Sequence, residues 1–258
     1  VEEILEKPSP HEVVGRVVST GALKFPVLWR EEFERTVNAG MVGLPDALRN
    51  LLDNDVPIQS IRTDTWVDVD HPWDLIKMNA ILLDRVPPSI SKDADIHSTA
   101  VITGRVHIGT GCIIRPGTVI EGPVHIGDNC DIGPMAVITG STTIGSGTRI
   151  GPFSRIRSSF LMEDVQVDSG TWLQRSVIGP ASVLRSHVHV DVGETHKTGK
   201  VGEIHVRRLG LVTGEACTLE HGVVSAPGTI LGSRVVVQRR VRISGEHASG
   251  SEIQSGGI

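Results

Sequence analysis

The sequence predicts a parallel β-helix preceded by a smaller α/β segment. Isoleucine recurs on a strict six-residue step from Ile96 to Ile156, about a quarter of the chain, and most of the residues four positions after each isoleucine are smaller. Neither a helix nor an ordinary strand has that period, whereas a short-repeat β-helix does. One large and one small inward residue per hexad suit a narrow, closely packed prism. The isoleucines are Ile96, Ile102, Ile108, Ile114, Ile120, Ile126, Ile132, Ile138, Ile144, Ile150 and Ile156.

A longer period of eighteen residues predicts coils with three sides. Glycines and prolines repeat at this spacing, and glycine supplies positive φ at one corner while proline pre-sets φ at another. Three hexads therefore make one coil, and coils stacked about 4.8 Å apart make a triangular prism. The repeating corner residues are Gly104, Gly122, Gly140, Pro116, Pro134, Pro152, Gly109, Gly127 and Gly145.

This hexapeptide pattern resembles the left-handed parallel β-helix of acyltransferases, an exception to right-handed crossovers. We expect the β-helix over residues 94–245, interrupted by an excursion loop at 191–208 and followed by a frayed tail at 246–258. The six-residue step resumes after the interruption. The resumed positions are Thr213, Leu219, Ser225, Leu231, Val237 and Ile243.

Residues 1–86 predict a partial α/β domain, joined through a proline-containing linker at 87–93. The expected helices are Pro26–Asn38, Leu44–Asn54 and His71–Asp84, the last with Leu75, Met78, Ile81 and Leu82 on its apolar face. The expected strands are Val1–Leu5, Ala22–Phe25 and Ile58–Arg62.

Composition limits the partners and the compartment. The net charge of −5 gives no field that would attract nucleic acid or a membrane surface. No apolar run approaches the roughly 20 residues of a spanning helix, and the acidic first residues do not form a signal peptide. Three cysteines make no disulfide framework. Cys112 and Cys130, one coil apart, are expected to be buried and reduced, which suits the cytoplasm.

Two short patterns in the N-terminal segment carry chemistry. In Glu6-Lys7-Pro8 a carboxylate suits sugar hydroxyls and an ammonium suits a phosphate, although a surface ion pair has the same sequence. In Trp66–Asp70 alternate carboxylates share one strand face. Carboxylates bind Mg²⁺, but a solvated edge strand is the alternative.

Together with the segment Pro72-Trp73-Asp74-Leu75 that leads to Asn79, these patterns resemble the later, Rossmann-like half of the sugar-1-phosphate nucleotidyltransferases. The resemblance implies that Glu6 contacts sugar hydroxyls, Lys7 contacts the sugar phosphate, Gly21 lies near the sugar and Asp68 is a Mg²⁺ ligand.

The family's Gly-rich triphosphate loop has no counterpart in residues 1–90. Nucleotidyl transfer is therefore not expected from this chain alone. The N-terminal nucleotide-binding half is expected to be absent, cleaved off or carried by another chain.

A nucleotidyltransferase half followed by a hexapeptide helix resembles the bifunctional enzymes that make UDP-N-acetylglucosamine. Their helix trimerises and acetylates an amino-sugar phosphate from acetyl-CoA. The segment Ser186–Gly193 matches their catalytic stretch, which makes His187 the candidate base, with an exposed outward pair His187 and His189 as the alternative. A family Gly-Ala-Gly-Thr stretch has no clear counterpart.

Arginines cluster on the last coils, and arginine binds phosphates bidentately. The cluster is Arg234, Arg239, Arg240 and Arg242. We expect Arg239 and Arg240 to meet phosphates of acetyl-CoA, with a solvated face as the alternative. A homotrimer acting on sugar phosphates and nucleotides follows from the resemblance. A β-helix that only trimerises or regulates a nucleotidyltransferase remains the other hypothesis.

Overall fold

The computed structural model of the chain describes residues 19–38, 43–63, 66–199 and 202–254. The chain forms two compact units that divide between Asp68 and Val69. The expected strand Val1–Leu5 lies outside the described residues, as do Glu6 and Lys7.

The first unit is helical in its described part. A 3₁₀ turn, Val27–Trp29, leads into α1, Arg30–Asn38, and α2 spans Leu44–Asp53. Phe25 packs edge-on against Phe33 with ring centroids 4.7 Å apart. Both helices were predicted from sequence and are confirmed.

The strands predicted near these helices are wrong. Ala22–Phe25, Ile58–Arg62 and the alternating segment Trp66–Asp70 all lie in backbone without strand pairing. A strand requires a hydrogen-bonded neighbour, and among the described residues 19–68 no such neighbour is present.

The second unit is a β-helix of three parallel sheets. Sheet A comprises Ser89–Ile90, Val106–Ile108, Val124–Ile126, Thr142–Ile144, Phe160–Leu161, Val177–Ile178, Leu211–Thr213, Thr229–Leu231 and Glu246–His247. Sheet B comprises Asp95–Ile96, Ile113–Ile114, Asp131–Ile132, Arg149–Ile150, Gln166–Val167, Val183–Leu184, Thr218–Leu219, Val236–Val237 and Glu252–Ile253. Sheet C comprises Val101–Thr103, Val119–Glu121, Val137–Thr139, Arg155–Arg157, Trp172–Gln174, His189–Val190, Val224–Ser225 and Arg242–Ile243. The predicted left-handed parallel β-helix of hexapeptide repeats is confirmed.

The isoleucine ladder forms the core, and a change of coil length explains where it ends. Up to Ile144, residues in register are eighteen apart, as Ile126 is with Ile144. Ile144 then pairs with Leu161, seventeen residues on, because one residue is lost at the corner between sheets C and A. The buried positions continue off the six-residue grid as Leu161, Val167, Leu173, Ile178, Leu184 and Val190.

The β-helix is longer than the sequence indicated. Ser89 already pairs with His107 inside the expected linker. At the other end, Val237 pairs with Ile253 inside the expected tail. The C-terminal end was missed because Ile253 is off the six-residue step, whereas Ile90 lies six residues before Ile96 and belongs to the step although the expected linker contained it.

The expected excursion loop is an antiparallel hairpin of Gly193–Gly199 and Gly202–Leu209. Lys197, which is only 5% exposed, places Nζ 3.2 Å from Oε1 of Glu246 on the last strand of sheet A. The base of the hairpin is held where Arg175 Nε donates to the carbonyl of Arg208 at 2.7 Å.

Helix α3, Asp74–Leu83, packs on the outer face of sheet A. The Asn79 amide, 4% exposed, donates to the carbonyl of Ser141 at 3.0 Å and accepts from the Thr143 hydroxyl at 2.6 Å. The predicted apolar face is only partly correct, because Leu75 packs against sheet A while Leu82 is exposed. The buried positions are Ile76, Asn79 and Leu83, because a polar residue lies at the centre of the contact.

The three cysteines are buried and free, which confirms the prediction for Cys112 and Cys130 and adds Cys217. Cys112 donates to the carbonyl of Gly127 at 2.9 Å and Cys130 to that of Gly145 at 3.2 Å. Burial raises the pKa of the Cys130 thiol to about 12. In the described parts of the chain, no helix combines the length and apolar character needed to cross a bilayer.

Candidate functional site

The candidate site lies along the edge where sheet B turns into sheet C. On four successive coils this edge carries one residue with left-handed backbone, at φ between 59° and 70°. We call these residues, Gly170, His187, Gly222 and Arg240, the histidine edge. Backbone hydrogen bonds stack the coils here: the amide of His187 donates to Ser169, that of Gly222 to Ser186 and that of Arg240 to His221, at 2.9–3.0 Å.

His187 projects from this edge and its ring folds back over Gly170. A Cβ on Gly170 would lie 2.6 Å from His187 Nδ1, so only glycine leaves room for the ring. The side chain of His187 is exposed, which leaves the imidazole open to an approaching molecule.

A second histidine on the same side is the one that has a carboxylate partner. His189 Nε2 lies 3.3 Å from Asp191 Oδ1, and the other oxygen of Asp191 is 2.9 Å from Arg242 Nη2. From the sequence, His189 is expected only as part of an exposed pair and Asp191 has no expected role. The His-x-Asp spacing was visible, but the contribution of Arg242, fifty-one residues away, depends on coil register.

An aromatic side chain lies beside this pair on sheet C. Trp172 is in register with His189, and the two rings meet edge to face at 5.1 Å. The Arg155 guanidinium lies 5.3 Å from the centre of the indole, within cation–π range. With 42% of its surface exposed, Trp172 offers an apolar plate between two polar groups.

The arginine cluster predicted on the last coils divides into two kinds. Arg234 is paired with Glu215 at 3.1 Å, and Arg242 with Asp191. Arg239 and Arg240 lie on an exposed turn of the histidine edge. Two coils separate Arg240 from His187, a rise of about 10 Å.

The remaining predicted site residues belong to the first unit. Gly21 has φ +73°, and a Cβ there would meet open space, so its left-handed backbone accounts for the glycine. Asp68 is exposed in irregular backbone. No group of three or more His, Cys, Asp or Glu side chains suited to a metal occurs in the described ranges, and the Mg²⁺ role of Asp68 stays a prediction.

The family of the β-helix is identified by comparison with known families. The model of the GMPPB C-terminal domain family matches residues 120–249, just over half of the chain. This chain belongs to the GMPPB C-terminal domain family. The matched residues include most of the coils and the whole histidine edge.

Curated relatives of this member of the GMPPB C-terminal domain family carry the name bifunctional protein GlmU. One from Methanococcus maripaludis strain S2 is 31% identical over 242 residues, and one from strain C7 is 35% identical over the same length. Both alignments cover 91% of this chain and 58% of the relative. The resemblance stated from the sequence is confirmed, and the chain spans less than two thirds of the length of these relatives.

Solved structures share only part of the arrangement. LpxA from Acinetobacter baumannii is 17% identical and matches 64% of this chain and 66% of its own, with a TM-score of 0.32. PerB from Caulobacter crescentus, solved with CoA and GDP-perosamine, is 20% identical, matches 69% of this chain and 63% of its own, and has a TM-score of 0.23. Likenesses this distant carry no argument about activity.

Proposed function

We propose that this chain is part of a sugar-1-phosphate nucleotidyltransferase family protein of nucleotide-sugar biosynthesis, whose β-helix transfers an acetyl group from acetyl-CoA to an amino-sugar 1-phosphate. The observation that carries the proposal is His187, held on an exposed edge by the coil backbone with its ring over a glycine. The GlmU-named relatives support the same substrate class.

The chemistry requires a base near neutral pH. His187 takes a proton from the neutral sugar amine as its nitrogen attacks the thioester carbonyl, a task suited to imidazole. The new C–N bond forms as the C–S bond breaks, and the proton passes to the departing thiolate of CoA. The neighbouring Trp172 plate and the Arg155 guanidinium suit the apolar face and the phosphate of the sugar.

Arg239 and Arg240 are proposed to hold phosphates of acetyl-CoA. Both are exposed on the edge that carries His187, so a donor lying along the β-helix axis can reach both places. Arginine forks match phosphate oxygens bidentately.

In the first unit, Glu6 and Lys7 are proposed for the sugar phosphate and Gly21 for close approach of the sugar. Asp68 is proposed as a Mg²⁺ ligand, since Mg²⁺ usually takes one or two protein carboxylates and fills its other positions with water and phosphate. Bound there, the ion would neutralise phosphate charge.

The test is thiol release from acetyl-CoA in the presence of amino-sugar 1-phosphates. We expect His187→Ala to abolish release and His189→Ala to reduce it less, because His189 is turned toward Asp191. Release by the wild type that His187→Ala leaves unchanged would remove His187 as the base. Absence of release with every amino-sugar phosphate would end the acetyltransferase proposal.

A second candidate, a trimerising or regulatory scaffold without acyl chemistry, is favoured by the surface of sheet C and its edge. Four large apolar side chains are exposed there, more than this surface needs if it faces only water. They are Val101, Met135, Phe153 and Trp172. A wild-type trimer that releases no thiol would select this candidate.

A further inference from the structure

The outer face of sheet B carries a groove of about 500 Å³ that the proposed acetyl transfer does not use. Its floor is Gly133 and Gly151, where a Cβ would come within 2.6 Å of the backbone of the next coil. One side of the groove is formed by stacked prolines. These are Pro116, Pro134 and Pro152. The floor and this wall are therefore flat and apolar.

Among the residues that the structure describes, the charges around the groove leave one guanidinium, that of Arg149, without an ion-pair partner. Arg115 binds both oxygens of Asp131 at 2.7 Å, and Arg185 lies 3.5 Å from Asp168. Arg149 is in register with Asp131. Among the described residues it makes no side-chain hydrogen bond or ion pair, and the carboxylate of Asp131 is bound by Arg115 instead.

The Arg115–Asp131 pair also fixes a plane at one end of the groove. Two parallel hydrogen bonds hold the guanidinium flat against the carboxylate, and a flat guanidinium stacks well on an aromatic ring. Asp131, which holds one side of this plane, lies on the coil next to that of Arg149, a step of about 4.8 Å.

We propose that the sheet B groove binds a nucleoside phosphate. The base lies on the glycine and proline floor and stacks on the Arg115 plane, while Arg149 takes the phosphate. An inorganic anion would use Arg149 alone, and an uncharged ring would use the flat floor alone. A nucleoside phosphate uses both. The proposal is independent of acetyl transfer, whose residues lie on the histidine edge.

The test is isothermal titration of the full chain with guanosine 5′-monophosphate, uridine 5′-monophosphate, ribose 5-phosphate and inorganic phosphate. We expect a nucleotide to bind more tightly than ribose 5-phosphate or phosphate. Arg149→Gln should weaken nucleotide and phosphate alike, by about tenfold or more, since a charge-assisted bond is lost. Arg115→Lys keeps the charge beside Asp131 but removes the plane, and should weaken only the nucleotide.

The matched control is Arg85→Gln, which removes one exposed positive charge from the turn after α3 on the sheet A side. It should change neither affinity. Three results would overturn the proposal: no binding to the wild type at millimolar concentration, full affinity in Arg149→Gln, or ribose 5-phosphate binding as tightly as either nucleotide. Loss of binding in Arg240→Gln with Arg149→Gln unaffected would place the nucleotide on the histidine edge and also overturn it.

Discussion

Left-handed backbone recurs at the corners of this β-helix, and glycine does not always occupy it. Met135, Phe153, His187 and Arg240 all have φ between 57° and 62°. Such a conformation costs about 1–2 kcal/mol for a residue with a Cβ. The coils above and below hold the corner by hydrogen bonds, so a large side chain placed there projects outward in a fixed direction.

The fit of His187 over Gly170 predicts a positional effect on activity. Gly170→Ala places a methyl group against Nδ1 of His187 and should displace the ring, lowering acetyl transfer at least about tenfold if His187 is the base. Gly222→Ala is the matched control, because it has the same backbone, φ +70°, but meets only Arg240 Cγ at 3.4 Å.

Both variants should lose about 1–2 kcal/mol of unfolding free energy from the left-handed alanine. Thiol-release rates and urea unfolding curves are measured for both variants. Together they separate the effect of backbone strain on stability from the effect of displacing the His187 ring on activity. Equal activity losses in the two variants would show that the ring position does not matter.

The buried cysteines predict weakening in alkali. Burial, and to a smaller extent electrostatic repulsion from the neighbouring Cys112, raises the pKa of Cys130 to about 12. The pKa of a thiol in the unfolded chain is about 8.5. Between these values the unfolded chain binds fewer protons, so the free energy of unfolding falls as pH rises, by up to about 1.4 kcal/mol per pH unit for this thiol.

Urea unfolding from pH 8 to 10.5 checks this expectation. The decline should be shallower in Cys130→Ala than in the wild type, while Cys112 and Cys217, whose pKa values burial also raises, maintain part of it. Parallel declines in the two proteins would contradict it.

At the scale of elements, helix α3 is fixed to sheet A by one amide as well as by apolar contact. Asn79→Ala removes both hydrogen bonds and leaves the Thr143 hydroxyl without the acceptor it now has. We expect a loss of about 1–3 kcal/mol of unfolding free energy. Adding Thr143→Val should restore part of the loss, because the stranded hydroxyl disappears.

Denaturant unfolding of the two single variants and the double variant measures that coupling. Strict additivity would mean that the bond contributes nothing beyond packing. Leu82→Ala is a suitable control on the same helix, since Leu82 is 49% exposed, and it should change stability much less.

The same helix shows what local sequence pattern can predict and what it cannot. Periodicity located α1, α2 and α3, because each has a helical pattern of its own. It missed the buried face of α3, which is centred on Asn79, and it placed strands at Ala22–Phe25 and Ile58–Arg62 where no pairing partner lies among the described residues. The hydrophobic period of an element does not show which of its residues will contact another element.

At the scale of the whole molecule, we expect a homotrimer closed through sheet C and the neighbouring edge. Closed rings bury such faces, and the exposed apolar side chains lie there. Trp172→Glu should shift the chain toward monomer in light scattering at micromolar concentration. Ile113→Glu, on the outer face of sheet B and 39% exposed, should leave the trimer intact, and a monomeric wild type would defeat the expectation.

The β-helix could be predicted because the six-residue isoleucine period corresponds directly to the geometry of its coils. The candidate site could be predicted from the sequence only in part. His187 came from a local match, but the Asp191–Arg242 pair and the position of Trp172 beside His189 depend on which coils are neighbours. The number of residues between stacked positions falls by one after Ile144 and changes again at the hairpin. Counting along the sequence therefore cannot identify which residues are neighbours.

The hairpin leaves the ladder intact on both sides of it. Val183 pairs with Thr218 and Leu184 with Leu219 across an interval of thirty-five residues, in the same sheet and on the same faces as coils half that length. A corner of this fold therefore accepts a complete new element without disturbing the residues stacked beyond it. The histidine edge and the sheet B groove can keep their geometry while the chain at 193–209 is lengthened, shortened or exchanged, which makes this corner the place where one β-helix can acquire different surfaces.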